Sequence, residues 1–412
     1  MPVADHAAPW AAGGVDSSYA WARLGLAVLL NTLGGVGLWS IVVALPAVQA
    51  EFGTARAAAA LPYTLTTIGF AAGGVLMGRL ADRFGVMWPV LGGSLSLGLG
   101  YLLAAQAGDI TSFALIHGVF IGLFGACAMF GPLVADTSLW FRQRRGLAVA
   151  ICACGNYFAG TVWPPLLQWG IAELGWRRTH ELVGLVCLAV LLPLALLLRR
   201  RAPRQETVAR AGGSGGTALG LSPGVLQGVI VAAGIACCVA MAMPQVHIVA
   251  YCVDLGYGAA RGAEMLSLML ATGVVSRLVF GLVMDRIGAL PTLVLASLLQ
   301  AVALALFLPF DELVPLYVIS GLFGLFQGGI VPCYAVIVRE NFPASEVGVR
   351  VSLALSATLV GMALGGWMSG FVFDMTGSYR MAVVNGLLWN GAHLLLAGWL
   401  LWRGRARRVA FA

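Results

Sequence analysis

Apolar residues along this chain come in runs of about twenty, separated by short breaks rich in Arg, Gly and Pro. A surface helix shows one apolar stripe and a strand ends after five or six residues, so neither accounts for runs of this length. A lipid bilayer does. Its hydrocarbon core is about 30 Å thick, and about twenty helical residues cross it with every backbone group bonded inside the segment. Reading the runs between breaks predicts twelve helices, at about 22–50, 57–78, 86–107, 111–138, 145–172, 180–199, 223–253, 261–283, 288–309, 312–338, 347–373 and 380–402. Residues 1–20 carry Asp5 and Asp16 and lack the basic start and small-residue cleavage site of a secretory leader. The first run is therefore expected to stay in the protein, and the predicted fold class is an all-α membrane protein with twelve transmembrane helices.

Composition narrows the function. Of 412 residues 60% are apolar and 10% charged, whereas a soluble domain is about a quarter charged. The net charge of +7 comes from 24 basic residues, every one an arginine. A nucleic-acid reader gathers such residues on one face, but these form short clusters between apolar runs, as topology signals do. With the N-terminus in the cytoplasm, eighteen arginines fall on the cytoplasmic side, Arg142, Arg144, Arg145 and Arg199–Arg201 among them, against Arg56, Arg177, Arg178, Arg261 and Arg380 outside. This bias predicts a multi-pass protein of the cell's inner (cytoplasmic) membrane with both termini cytoplasmic. The eight cysteines lie in or beside apolar stretches without histidine at metal-binding spacing, so they read as small buried hydrophobes. No metal, cofactor or nucleic-acid partner is expected, and neither is a catalytic group, since no nucleophile with a paired base and no HExxH grouping occurs.

Half of the chain copies the other half. Gly78-Arg79-Leu80-Ala81-Asp82-Arg83-Phe84-Gly85 returns 203 residues later as Gly281-Leu282-Val283-Met284-Asp285-Arg286-Ile287-Gly288, and Gly125 and Gly328 keep that register. Each copy holds six predicted helices, so both insert in the same sense. The expected organisation is a tail at 1–20, a six-helix bundle at 21–199, a linker at 200–222 rich in Arg, Gly and Ser, a second bundle at 223–402 and a tail at 403–412. Parallel bundles of this kind hold a substrate between them near the midplane.

The octet and its copy resemble the loop signature G-x-L-x-D-R-x-G of the major facilitator superfamily, and lie as there between the second and third helices of each half. Within the superfamily, Trp140–Ala148, Ser276–Gly281 and the Gly-rich stretch 361–370 are similar to the monocarboxylate transporter and oxalate/formate exchanger branch. The resemblance implies the major facilitator fold and transport by alternating access. It also implies that Gly78, Asp82, Arg83, Gly85, Gly281, Asp285, Arg286 and Gly288 form gating loops, where an aspartate at a helix N-terminus or beside an arginine holds the cytoplasmic face closed.

Arg277 is the most informative residue. It precedes Asp285 by eight positions, about 12 Å along a helix, and a permanent charge at that depth costs at least about 2.5–3.5 kcal/mol. It must face a wet cavity or an anion. No Asp or Glu is predicted at that depth, so Arg277 is expected to bind an anionic substrate, and in the resembled branch the arginine of this helix binds the substrate carboxylate. One buried positive charge implies one negative charge on the substrate, since residues 351–373 lack the lysine that the oxalate exchanger has in helix 11.

Asn156 and Tyr157 are expected to surround the carboxylate, interhelical hydrogen bonding being the plainer alternative. Gln245 and His247 follow Pro244, where a broken helix would open side chains to the pathway; His247 is a candidate proton acceptor or a structural histidine. Tyr63, Gln327 and Tyr334 are further lining candidates. The lysine in helix 1 and the acid one turn before the helix-8 arginine that resemble one another among animal monocarboxylate carriers are missing here, since Gly273 stands four residues before Arg277. The reading is a monomeric secondary transporter of small organic monoanions, with proton coupling through His247 or the substrate. Anion exchange, a drug or sugar facilitator and a transporter-derived sensor remain as alternatives.

Overall fold

Each apolar run closes into a helix whose ends are set by residues that cannot continue it or that bond its free backbone groups. The computed structural model describes residues 14–201 and 219–410, without the side chains of 344–345 and 405–410. Among the described residues twelve helices are long and apolar enough to cross a membrane: α1 (Ser18–Phe52), α2 (Arg56–Phe84), α3 (Met87–Ala104), α4 (Ile110–Trp140), α5 (Arg145–Leu174), α6 (Trp176–Arg199), α7 (Pro223–Asp254), α8 (Ala259–Ile287), α9 (Ala289–Leu306), α10 (Leu313–Asn341), α11 (Glu346–Thr376) and α12 (Tyr379–Gly404). No strand occurs among the described residues. Residues 1–13 of the expected tail and 202–218 of the expected linker, with Arg204 and Arg210, lie outside the described residues.

Helix boundaries differ from expectation where a cap was overlooked. The Ser17 hydroxyl accepts the Ala20 N–H and starts α1 inside the stretch read as tail. Gly175, at φ 79°, turns the chain so that α6 begins at Trp176 and takes Arg177 and Arg178 into its first turn. The last helix runs on to Ala410, through most of the expected C-terminal tail.

A more consequential difference concerns the interrupted helix. The sequence reading expects a break at Pro244, yet α7 is one helix of 32 residues with that proline inside it and every residue from Met241 to Cys252 buried. Packing from α11, α12 and α8 keeps it helical. Breaks fall instead at Phe130 in α4, at Cys154 in α5, at Gly328 and Gly329 in α10, and at Gly35 in α1, between Ser18–Gly34 and Val36–Phe52. A Cβ at Gly35 would stand 2.4 Å from the Ala159 Cβ, so the missing side chain lets α5 close onto that break.

Helices α1–α6 and α7–α12 form two bundles built alike. In the first, α2 lies on α4, where Gly69 meets the Gly118 carbonyl and Gly73 the Leu123 carbonyl. In the second, α8 lies on α10, with Gly324 on the Met269 carbonyl and Gly328 on the Gly273 carbonyl. These glycine seams therefore sit inside a bundle. Gly366 and Gly370 differ, facing Tyr63 and Ala57 of the other bundle. Polar networks stiffen each core: Tyr101 donates to the Ser40 hydroxyl (2.7 Å) in the first, and His393 joins Ser297 (2.7 Å) to Tyr334 (3.0 Å) in the second. The bundles meet along α2–α11, α5–α8 and the second half of α1 with α7.

Candidate functional site

Arg277 stands ten residues before the last residue of α8, about 15 Å from that end. Its Nη1 donates to the Ala153 carbonyl of α5 at a long 3.3 Å, and its guanidinium carbon lies 4.3 Å from the centroid of the Tyr157 ring. Its Nε is buried and bonds to nothing. No carboxylate pairs with it among the described residues. Gly273, one turn earlier on the same face, leaves the space that Tyr157 fills, for a Cβ there would lie 2.4 Å from the tyrosine ring. The position that lacks an acid is thus the seat of the ring on which the arginine lies.

The opposite wall is α5, pinned to the interrupted α1. Asn31 donates to the Cys152 carbonyl (2.9 Å), Thr32 to the Gly155 carbonyl (3.3 Å), Trp39 to the Asn156 carbonyl (3.2 Å), and Trp163 back to the Thr32 carbonyl (2.9 Å). The Asn156 side chain itself, half-buried beside Gly35, makes no hydrogen bond among the described residues. Arg277 and Tyr157 therefore meet at the α5–α8 bundle interface, while the Asn156 side chain lies against Gly35 of α1 in its own bundle. Asn31, Thr32 and Trp39 stand out in the sequence only as polar or amphipathic residues of an apolar run; their partners on α5 could not be read there.

The other candidates are held elsewhere. The Gln245 amide donates to Gln327 (2.5 Å), whose own Nε2 is buried without a partner. Tyr334 bonds with His393 and donates to Cys237 in the core of the second bundle, which makes it a packing residue there. Tyr63 faces Gly366 across the α2–α11 seam. His247 is fully buried, with Nδ1 at 3.0 Å from the Tyr379 hydroxyl and Nε2 at 2.7 Å from the Gly366 carbonyl. A carbonyl only accepts, so Nε2 carries the proton and Nδ1 accepts from Tyr379.

That hydroxyl belongs to a latch the sequence reading missed. Arg56, at the start of α2, donates to Tyr379 (2.7 Å) and holds both oxygens of Asp254 at the end of α7 (3.1 Å each). Its guanidinium lies 4.5 Å from the Phe373 ring centroid. Asp374, near the end of α11, accepts the backbone N–H groups of Arg56 and Ala57 (2.8 Å each) and so caps a helix of the other bundle. Thr64 adds a hydrogen bond to the Ala363 carbonyl, and Ser267 one to the Thr161 carbonyl. Cross-bundle hydrogen bonds thus run from the end opposite the chain termini inward to Arg277, and none lies beyond it among the described residues. Among the described residues, hydrogen bonds thus tie the bundles together at that distal end and not at the end where α1 begins and α12 stops. Arg56 belongs to the minority of arginines on the poorly charged side, the one signal that marked it.

The residues expected to form gating loops lie at the other end, where α2 and α8 finish. Gly85 (φ 93°) and Gly288 (φ 89°) end α2 and α8 in backbone conformations open to glycine. Asp82 and Asp285 are exposed and pair with no arginine among the described residues. Arg83 lies over the Phe84 ring, and Arg286 is exposed in the last turn of α8. Gly78 and Gly281 have open space where a Cβ would stand. A cavity of about 300 Å³ beside the first loop, lined by Asp82, Gly85, Trp88, Asp136 and Arg199–Arg201, belongs to the first bundle alone.

Comparison with known proteins follows the same lines. The family model described as Major Facilitator Superfamily matches residues 27–311 and 254–412. Monocarboxylate transporter 11 of Homo sapiens is 27% identical over 418 residues, covering 97% of this chain and 86% of that protein. Monocarboxylate transporter 13 of Rattus norvegicus is 27% identical over 310 residues (74% and 71%), and the uncharacterized MFS-type transporter YcxA of Bacillus subtilis 25% over 323 residues (74% and 77%). A crystal structure of a bacterial homolog of the human lysosomal transporter Spinster, in an inward-facing and occupied conformation, superposes with a TM-score of 0.67 at 16% identity, covering 94% of this chain and 96% of that one. That likeness bears on the fold alone.

Proposed function

The chain belongs to the Major Facilitator Superfamily, and from that premise we propose that it carries small organic monoanions across the inner membrane by alternating access, coupled to protons. It is a multi-pass membrane transporter and not an enzyme. The observation that carries the cargo assignment is the Arg277 guanidinium at the bundle interface, with a buried Nε that bonds to nothing and no carboxylate to neutralise it. A fork-shaped cation in that state is matched by a carboxylate, which takes two parallel hydrogen bonds. Tyr157 would orient the rest of the molecule. A single cation there favours a single negative charge, and relatives named monocarboxylate transporters support the same class.

With both termini in the cytoplasm, the latched end faces outward and the present state opens inward. The proton-sensitive element we assign is the chain from Arg56 through Tyr379 to His247. A proton on Nδ1 of His247 turns that acceptor into a donor, so the Tyr379 oxygen would accept from His247 as well as from Arg56 and its O–H would lose the acceptor that now holds it. Tyr251, Asp254 and Asp374 are the other ionisable groups around it.

The test is uptake of a panel of labelled mono- and dicarboxylates into proteoliposomes, with and without an imposed pH gradient, for the unaltered protein, Arg277→Gln and His247→Gln. Saturable monocarboxylate uptake that Arg277→Gln abolishes is expected. Uptake that prefers dicarboxylates sinks the charge-matching argument. Stimulation by substrate on the opposite side without any pH dependence replaces symport by exchange.

A further inference from the structure

The internal repeat reaches the distal end of the molecule and places two acids at one position. Glu51 and Asp254 are 203 residues apart, as are Gly53 and Gly256, Trp176 and Tyr379, and Arg177 and Arg380. The backbone agrees: Gly53 and Gly256 both have positive φ (60° and 82°), and α6 and α12 begin at Trp176 and Tyr379. Yet the acids are partnered differently. In the first bundle Glu51 is held internally, accepting from Arg177 Nε at 2.7 Å and from the Trp176 indole, so the end of α1 is tied to the start of α6. In the second bundle Asp254 is held by Arg56 of the other bundle. Arg380, which stands where Arg177 stands in the first half, is exposed, and its guanidinium makes no ion pair or hydrogen bond among the described residues.

We propose that Asp254 exchanges partners during the transport cycle: Arg56 holds it while the distal end is shut, and Arg380 takes it, as Arg177 takes Glu51, once the bundles part there. The inference rests on the alternating-access reading. Arg380 and Asp254 belong to the same bundle and stay near each other whatever the bundles do, while Arg56 leaves with α2. Without a replacement, opening strands an aspartate beside the ring pair Tyr251–Tyr379, and the latch holds by the full strength of its ion pair. With Arg380 waiting, opening costs only the difference between two similar pairs, so the distal end can alternate. Arg380 is thus a positioning residue that touches no substrate. Its neighbour Tyr379 serves both states, as the aromatic partner that α6 supplies with Trp176.

The exchange is tested without knowing the cargo. All eight native cysteines are buried, so spin labels can be placed on Gln106→Cys and Pro309→Cys, exposed positions in the equivalent distal loops after α3 and α9. Pulsed dipolar spectroscopy of the full-length protein in nanodiscs then reads the distance between bundles. Arg56→Gln is expected to raise the long-distance population. Arg380→Gln beside an intact Arg56 should lower the ratio of long to short distances by up to about fivefold, the range of a partly exposed ion pair, and beside Arg56→Gln it should be silent, because Asp254 then meets Arg380 in both states. Asp254→Asn should likewise make the Arg380 substitution silent. An Arg380→Gln variant with Arg56 intact that leaves the ratio unchanged overturns the exchange, and so does one whose effect persists beside Asp254→Asn. A single distance in every variant removes the rocking motion itself and the exchange with it, whereas two populations indifferent to Arg380 remove only the exchange.

Discussion

Replacing Arg277 by methionine should push stability and binding in opposite directions. In the empty protein the guanidinium keeps two interactions. The 3.3 Å bond to the Ala153 carbonyl contributes about 0.5–1.5 kcal/mol, and the contact with Tyr157 about 0.5–2 kcal/mol. Against these stand a buried Nε without an acceptor, about 1–3 kcal/mol, and a charge held at depth in the membrane, about 2.5–3.5 kcal/mol on insertion scales. Methionine fills much the same volume with neither penalty. Set against each other, these ranges leave the empty variant more stable by about 0–5.5 kcal/mol, about 3 at their midpoints, a rise of roughly 3–4 °C in the apparent unfolding midpoint for a chain of this size. The bound state loses two charge-assisted hydrogen bonds at about 1.5–3 kcal/mol each, so affinity for the carboxylate should fall about 10²–10⁴-fold. Thermal unfolding in detergent, followed by tryptophan fluorescence with and without a series of monocarboxylates, reads both effects. A variant less stable than the parent when empty shows that Arg277 is a structural group, and one that is still stabilised by the same acids shows that the carboxylate sits elsewhere.

Further predictions concern the latch, the loops and the cores. Asp374→Ala removes a cross-bundle helix cap worth about 1 kcal/mol, so a thiol reagent should label Ala60→Cys about fivefold faster from the distal side. Gly78→Ala, with open space and helical backbone, should stabilise by about 0.4–1 kcal/mol, while Gly85→Ala at φ 93° should cost about 1–2 kcal/mol; their unfolding midpoints separate the two glycines of one motif. His117→Phe should leave stability equal or higher, because both ring nitrogens are buried without partners amid Phe113, Tyr101 and His180, and a lower midpoint refutes this. Asp109, in the loop before α4, accepts the Ser112 and Thr111 N–H groups, and these bonds hold its carboxyl below the ordinary 3.8. A lowered value in the folded state adds stability above the ordinary carboxylate range and loses it as the pH falls through the lowered value. Asp109→Asn should abolish that acid-dependent loss of amide protection in the first turn of α4.

Only one bundle interface has to open for the reading above to hold, and its construction fits that role. Buried polar networks such as Ser297–His393–Tyr334 and Tyr101–Ser40 lie within one bundle and keep it rigid. The interface is made of glycine faces, a few hydrogen bonds and the Arg56 cluster, the kinds of contact that exchange between two discrete arrangements.

Sequence alone determined the twelve spans and the doubled bundle and singled out Arg277 for attention, because each follows from a rule local in the chain. Lipid demands long apolar helices, a repeat shows itself at a constant offset, and a charge among twenty apolar residues is conspicuous wherever they fold. Tertiary structure decided which residues stand against it. Gly273 could be seen as a missing acid but not as the seat of Tyr157, and Pro244 signals a broken helix to any local reading, whereas packing from three neighbours keeps α7 whole and Ala159 presses on Gly35 of α1. Arg56 is 198 residues from Asp254 and 318 from Asp374. Nothing in the chain's local chemistry brings them together; the docking of one bundle on the other does, because an ion pair forms between surfaces only after two separately folded cores have met.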